Sequence, residues 1–252
     1  MSPIRLLHVL EATVGGTRRH LLDLCLNLPR DRFEQYVACS TLRGERFLAD
    51  VQVLDAAGVK VMDLPMRREI SPLSDGRCLR QLRAAMAAWE PQIVHGHSSK
   101  GGFLARLAAR SLRPRPRTVY NPHGFAFQMR ASALRRGLYV ALERLAGRWT
   151  EVLVAGCDGQ KQLALQHHVV PEERIAIIPN GIRADEFRVA ADRDAYRRAL
   201  GLPTEATLVG TVAALTPQKG VAQLVRAAAA VHRERPRVHL AVAGHGPLLP
   251  QL

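Results

Sequence analysis

The chain of 252 residues is 47% hydrophobic and 23% charged, a globular composition long enough for one large or two modest domains. Its formal net charge is +14, with lysine only at Lys60, Lys100, Lys161 and Lys219 and arginine at the other 32 basic positions. Such a surplus favours anionic partners: nucleoside diphosphates, lipid phosphates or an acidic membrane face. Aromatic residues make up only 5% and no basic–aromatic signature is present, which argues against nucleic acid.

Cys25, Cys39, Cys78 and Cys157 form no C-x-x-C pair. The first three sit in apolar stretches and read as reduced, buried thiols of a cytoplasmic protein, whereas Cys157 follows a strand end. Ile4–Leu10 is too short and interrupted for a secretory leader. No run approaches the ~20 apolar residues of a membrane span. The expectation is a soluble or peripheral protein, at the inner face of the plasma membrane if at any.

Taken in order, Ile4–Leu10 reads as a buried strand, and a helix follows Gly15-Gly16 with Leu21, Leu22, Leu24, Cys25 and Leu28 on its apolar side. Gln35–Ser40 is a second strand, Phe47–Ala57 a helix closed by Gly58, and Val59–Leu64 a third strand. A basic loop leads to a helix over Leu73–Trp89. Gln92–His95 is the fourth strand, Gly101–Leu112 a helix, and Arg113–Arg117 a stiff basic connector. Thr118–Asn121 is the fifth strand. Ala131–Trp149 is an amphipathic helix carrying Arg135, Arg136, Arg144 and Arg148.

Val152–Ala155, a helix through Gln160–His167, and Arg174–Ile178 complete a strand–helix alternation that predicts an α/β doubly wound parallel sheet over residues 1–183. Asn180-Gly-Ile and the charged segment 183–198 read as a crossover between domains. Residues 184–252 start a second, Rossmann-like sheet with strands at Thr207–Val212 and Val238–Ala243 around a helix at Val221–Arg233. That second domain is expected to be incomplete as given.

The residues able to do chemistry fall at strand ends, where doubly wound sheets bind ligands. Gly15 and Gly16 allow backbone amides to approach a phosphate at a helix amino end, and they also suit a plain tight turn. The spacing is not G-x-G-x-x-G, which disfavours a nicotinamide site. His95 and His97 alternate on a strand end and so share a face. With no third ligand in view a metal is not expected; one histidine would pack inward and the other would face the cleft with Ser98 and Lys100.

His123 lies between Pro122 and Gly124, stiff on one side and open on the other, a way of fixing an imidazole at a cleft edge. Asp192-Arg-Asp194 reads as a helix cap rather than a cation site. Lys219 and Gly220 open a helix and suit a departing diphosphate, while Gly244 and Gly246 end the next strand.

These stretches resemble the family-4 glycosyltransferases, retaining enzymes of the two-domain GT-B fold. The matching stretches are Gly15-Gly16, His95-Gly-His-Ser-Ser-Lys-Gly-Gly-Phe-Leu-Ala-Arg106, Pro122-His-Gly-Phe-Ala-Phe127, Ile178-Pro-Asn-Gly181, Lys219-Gly220 and Gly244-His-Gly-Pro247. The His-Ser-Ser-Lys and His-Gly-Phe-Ala-Phe stretches resemble members that build cell-surface polysaccharide on lipid carriers. The resemblance implies an acceptor-binding first domain, with His97, Ser98 and Lys100 on the acceptor side, and a second domain for the nucleotide sugar. It implies His123 and Lys219 as catalytic residues, the first beside the transferring sugar and the second on the departing phosphate. Gly16 would lie beside the diphosphate, and Gly15, Gly220, Gly244 and Gly246 would join it on the donor side. No cofactor or metal is implied beyond the sugar nucleotide itself.

The sequence departs from the family at Ala214, where an arginine is usual five residues before the lysine. The family's paired-glutamate motif is expected beyond residue 252. The expected activity is transfer of a sugar from a nucleotide diphosphate to a lipid-linked or saccharide acceptor with retention. The alternative is a truncated, non-catalytic module that binds an acceptor or partner. An epimerase of the same fold is a third reading.

Overall fold

The computed structural model describes residues 2–43, 46–188 and 192–252, and the chain divides into two compact units, Met1–Ile182 and Arg183–Leu252. Residues 189–191 of the expected crossover lie outside the described residues.

In the first unit the elements alternate: β1 (Ile4–Leu10), α1 (Gly15–Asn27), β2 (Phe33–Cys39), α2 (Arg46–Ala56), β3 (Lys60–Asp63), α3 (Pro72–Trp89), β4 (Ile93–His97), α4 (Ser99–Arg110), β5 (Arg117–Asn121), α5 (Ala133–Gly147), β6 (Val152–Ala155), α6 (Asp158–Gln166) and β7 (Ile175–Ile177). All seven strands are parallel, in the order β3-β2-β1-β4-β5-β6-β7. The order reverses between β1 and β4, and in such sheets the ligand crevice opens at the carboxyl ends of the two strands flanking that reversal.

Helices cover both faces, as parallel strands require. Leu7 and Val9 of β1 pack with Val94 against Leu82 and Met86 of α3 and Leu104 and Ala108 of α4. Leu10 packs on the opposite face with Val37 and Cys39 against Leu21 and Cys25 of α1 and Leu54 of α2. A third cluster joins Tyr120 and Leu153 to Phe125 and Phe127 beyond β5 and to Ala164 of α6. Cys25, Cys39 and Cys78 are buried free thiols, whereas Cys157 is exposed.

Strand β4 runs two residues past its expected end because Gly96 and His97 continue the ladder opposite Val9 and Leu10. Local composition reads His-Gly-His as a break, but pairing to a central strand overrides it. Helix α5 is trimmed at both ends. The Ser132 hydroxyl accepts from the Arg135 amide at its start, and at its end Gly147 lies so close to the next segment that a Cβ would stand 1.7 Å from the Val169 oxygen.

Helix α4 presses on the sheet through glycines. A Cβ on Gly101 would lie 2.9 Å from the Val9 oxygen, and one on Gly102 would lie 2.4 Å from the Tyr120 ring. That contact fixes the start of α4 over the ends of β1, β4 and β5.

The second unit contains α7 (Arg193–Ala199), β8 (Thr207–Val212), α8 (Val221–Glu234) and β9 (Val238–Ala243). Strands β8 and β9 pair in parallel. Asp192 caps α7, its Oδ1 accepting from the Asp194 and Ala195 amides at 3.0 and 2.9 Å, which is the capping role expected for it. No helix among the described residues is long and apolar enough to cross a membrane.

Gly102→Ala should destabilise the chain by about 1–3 kcal/mol through overpacking against Tyr120. Gly137→Ala in α5, where a Cβ meets nothing within 4 Å, should instead stabilise it by about 0.5–1 kcal/mol. Urea midpoints at unchanged slope measure both.

Candidate active site

At the carboxyl ends of β1, β4 and β5 the structure gathers five imidazoles. His8 of β1 stands in register with His95 of β4, and His97 is opposite Leu10, so all three share the sheet face covered by α1. His20 of α1 and His123 beyond β5 complete the group, with ring centroids 4.8 Å apart in edge contact. His97 is the hub. Its Nε2 lies 3.1 Å from His8 Nδ1 and its Nδ1 lies 3.2 Å from His123 Nε2. The His97 and His123 rings stack at 17°.

His97 and His8 are fully buried, so burial holds the group neutral. It lowers His8 to about 4 and His123 to about 3, and it pushes His95 and His97 well below the usual histidine value. In each case desolvation is the largest cause, and neighbouring imidazoles add to it at His95, His97 and His123. Neutral imidazoles offer lone pairs. Two sets, His8–His95–His97 and His20–His97–His123, bring one ligand atom from each residue within 4.8 Å of the others. The third nitrogen that His95 and His97 lack in the sequence is therefore supplied by other elements.

His123 and Ser98 both have positive φ, 52° and 59°. Non-glycine residues rarely adopt this region, and such strain concentrates at ligand sites. The loop is held from several directions. His123 N donates to Asn121 Oδ1 at 3.1 Å, and Ala126 N donates to Ser99 Oγ at 3.2 Å. Ser99 Oγ in turn donates to Glu143 Oε1 at 2.9 Å, as Tyr120 Oη does at 2.8 Å. Glu143 is balanced by the fully buried Arg106, 3.1 Å away, whose guanidinium lies 3.7 Å over the Tyr120 ring. Removing either partner of such a buried pair leaves an uncompensated charge.

Beside this loop lies a cleft of about 670 Å³ between α3, α4 and α5. Its walls include Phe103, Leu104, Leu107 and Met129, with Gly124 next to His123, and its charged lining sets Arg43, Arg68, Lys100 and Arg135 beside Glu11, Glu69, Asp75 and Glu143. Ser98 and Lys100 line it. Lys100 Nζ is held 2.6 Å from Asp75 Oδ2, and Arg43 is held 3.1 Å from Glu11. His97 does not reach the cleft. It is 0% exposed, and His123 borders the cleft through Gly124 without being one of its lining residues.

Gly15 takes φ +58°, and neither it nor Gly16 has an atom within 4 Å of a would-be Cβ, so the backbone there is open to approach. In the second unit Lys219 is exposed, ends a short turn Pro217–Lys219, and has no ion pair among the described residues. Gly220 follows at φ +67°. Gly244 and Gly246 have a packing reason for being glycine: a Cβ would lie 1.9 Å from the Ala213 oxygen and 2.5 Å from the Leu215 oxygen respectively. Of the cluster, the sequence motifs did not include His8, His20 and Glu143. Only the β1–β4 adjacency implied by the alternation pointed toward His8.

The buried histidines set a pH dependence of stability. Their folded pKa values lie below the unfolded value near 6.5, so as pH falls the unfolded chain takes protons that the folded chain refuses. Stability is therefore full above about pH 6.5 and lost progressively toward pH 4, at up to about 1.4 kcal/mol per pH unit for each such histidine. Urea titrations between pH 7.5 and 5 should show a falling midpoint; a flat profile would mean that the imidazoles are hydrated.

Residues 15–181 match the family described as glycosyl transferase 4-like domain, and residues 192–252 match glycosyl transferases group 1. The chain is 30% identical over 256 residues to the Escherichia coli UDP-Gal:alpha-D-GlcNAc-diphosphoundecaprenol alpha-1,3-galactosyltransferase, covering 100% of this chain and 64% of that protein. It is 34% identical over 256 residues to the D-inositol 3-phosphate glycosyltransferase of Mycobacterium avium, covering 92% and 56% respectively. The chain thus spans under two thirds of the length of either relative. Its fold matches that of Anabaena HepE, solved in complex with UDP and glucose, with a TM-score of 0.73 at 20% identity over 98% of this chain and 63% of that one. The α/β fold is that of the GT-B glycosyltransferases. The chain belongs to the glycosyl transferase 4-like family.

Proposed function

We propose that this chain carries the acceptor-binding domain, and donor-binding residues in its second unit, of a hexosyl-type glycosyltransferase that builds a cell-surface polysaccharide or glycan. The sugar passes, with retention, from a nucleotide diphosphate to a lipid-linked or saccharide acceptor. The observation that carries this reading is the cleft beside His123. Its apolar walls, together with Arg68 and Arg135, which have no ion pair among the described residues, suit an acceptor that joins hydrocarbon to phosphate, the chemistry named for the Escherichia coli relative.

In this reading Ser98 and Lys100 orient the acceptor, and His123 contacts the transferring sugar as a neutral hydrogen-bonding group rather than a cation. Gly15, Gly16 and Gly220 give backbone amides access to the diphosphate, with Gly244 and Gly246 shaping the neighbouring turn. Lys219 stabilises the charge that develops on the departing phosphate. No divalent cation is required in this scheme, and the departing phosphate takes the acceptor proton. The buried thiols suit the reducing cytoplasm.

A second feature supports an anionic membrane surface as a partner. Helix α5 exposes Leu134, Leu138 and Leu145, at 87, 47 and 40%, along one stripe, and Arg144 and Arg148 lie on one side of it. Leucines that enter the acyl boundary and arginines that meet lipid phosphate are the two contributions interfacial binding needs. The non-catalytic alternative draws support from Ala214, which stands where the family carries an arginine.

Transfer to a saccharide–diphosphate–polyprenol should be detected by product mass, with the anomeric configuration of the donor preserved and EDTA without effect. Lys219→Ala should lower kcat about 10²–10³-fold. Acceptor binding without any donor turnover would favour the non-catalytic module. In a separate measurement, the chain should sediment with vesicles containing anionic lipid, less so as salt rises, and Leu134→Glu with Leu138→Glu should abolish the association. Equal binding to neutral vesicles would remove the electrostatic part of the claim.

A further inference from the structure

Of the two three-imidazole sets, only one has its rings spread around a point. In the inner set the His95 and His97 centroids are 4.0 Å apart, the distance of two rings laid against each other. In the outer set His20, His97 and His123 form a closed triangle, with centroids 4.8, 5.4 and 5.7 Å apart. The His20 ring stands edge-on to the other two, at 71° and 64°. One nitrogen of each ring lies within 4.8 Å of the other two.

A tetrahedral zinc ion bound at about 2.0–2.1 Å sets its ligating nitrogens about 3.3 Å apart and their imidazole centroids about 5.2 Å apart. His97 Nδ1 and His123 Nε2 are already 3.2 Å apart, and the His20 nitrogen comes in by turning its side chain. A proton shared between His97 and His123 accounts for that pair alone and leaves the edge-on His20 ring outside.

The three residues come from three elements held independently. His97 ends the ladder of β4, Asn121 holds the His123 amide, and His20 is carried on α1 beside the fully buried Leu21. A ligating histidine is oriented by what its other nitrogen meets. With His97 bound through Nδ1, its Nε2 keeps the proton, and His8 Nδ1 stands 3.1 Å away to accept it. His20 and His123 are half-buried, which gives a cation a way in and leaves the fourth position to water, as in three-ligand zinc sites.

We infer that His20, His97 and His123 form a site for one divalent transition-metal cation of the zinc class. Imidazole nitrogens suit Zn²⁺, Co²⁺ and Ni²⁺, whereas Mg²⁺ and Ca²⁺ take oxygen. The site stands apart from the transfer scheme, which uses no cation. On the proposed reading of that scheme, zinc added to the chain occupies the imidazole that contacts the sugar; the binding itself does not rest on that reading.

The test therefore needs no substrate. After treatment with a chelator, one equivalent of Co²⁺ should give the intense visible absorption of a four-coordinate nitrogen site. Zn²⁺ should abolish that band and Mg²⁺ should leave it unchanged. His20→Gln, which keeps the His97–His123 pair, should lose the band and bind Zn²⁺ at least about 10-fold more weakly, with circular dichroism and the urea midpoint reporting its fold. In the intact ¹⁵N-labelled chain Zn²⁺ should shift the ring nitrogens of His20, His97 and His123 together, a readout that needs no variant. No stoichiometric Co²⁺ band in the intact chain overturns the inference. So does a folded His20→Gln chain that binds Zn²⁺ as tightly as the intact one, as it would if the inner set held the cation, and so does a Zn²⁺-induced shift that spares His20.

Discussion

The parallel pairing of β1 with β4, in register from Leu6 opposite Ile93 to Leu10 opposite His97, is the contact on which the site depends. It brings a histidine from the first strand against two from the fourth, and it creates the order reversal at whose edge a ligand crevice forms. Because side chains alternate along a strand, the same pairing sends Leu7 and Val9 to the α3–α4 core and His8 to the α1 side. Slipping the register by one residue would exchange these roles and bury leucine where the imidazoles now meet.

Around that pairing the fold combines a close backbone approach with buried polar groups. Gly101 and Gly102 allow α4 to sit on the strand ends. The residues flanking them, Ser99 and Arg106, join Glu143, Tyr120 and Thr150 in a hydrogen-bonded network. This network is costly to bury and its partners hold it in place. It holds the loop after β5 and so sustains the left-handed backbone at His123. Strain at the ligand edge and satisfied charge behind it are two parts of one arrangement.

The histidines act differently from a charged site. Desolvation removes the proton, so the cluster offers hydrogen-bond direction rather than positive charge. Positive charge is placed elsewhere: on Arg43, Arg68 and Arg135 of the cleft lining, on the arginines of α5, and on Lys219 of the second unit.

Much of this was legible in the chain. Strand–helix alternation gave the parallel sheet, since hydrophobic runs and glycine or proline breaks are local signals, and boundaries fell within a few residues. His123, Ser98 and Lys100 were marked by Pro-His-Gly and by their place after a strand, and Asp192 by the chemistry of helix capping. The close approaches made by Gly102 and Gly147, the Arg106–Glu143 pair and the partners of His97 were not legible. Each depends on residues between 18 and 89 positions apart, brought together only when the sheet has its order. The sequence by itself determined which residue types stand at strand ends. Tertiary structure decided which of them meet, and burial then decided that the histidines which meet are neutral, because the free energy of an imidazolium depends on the water around it and not on its neighbours in the chain.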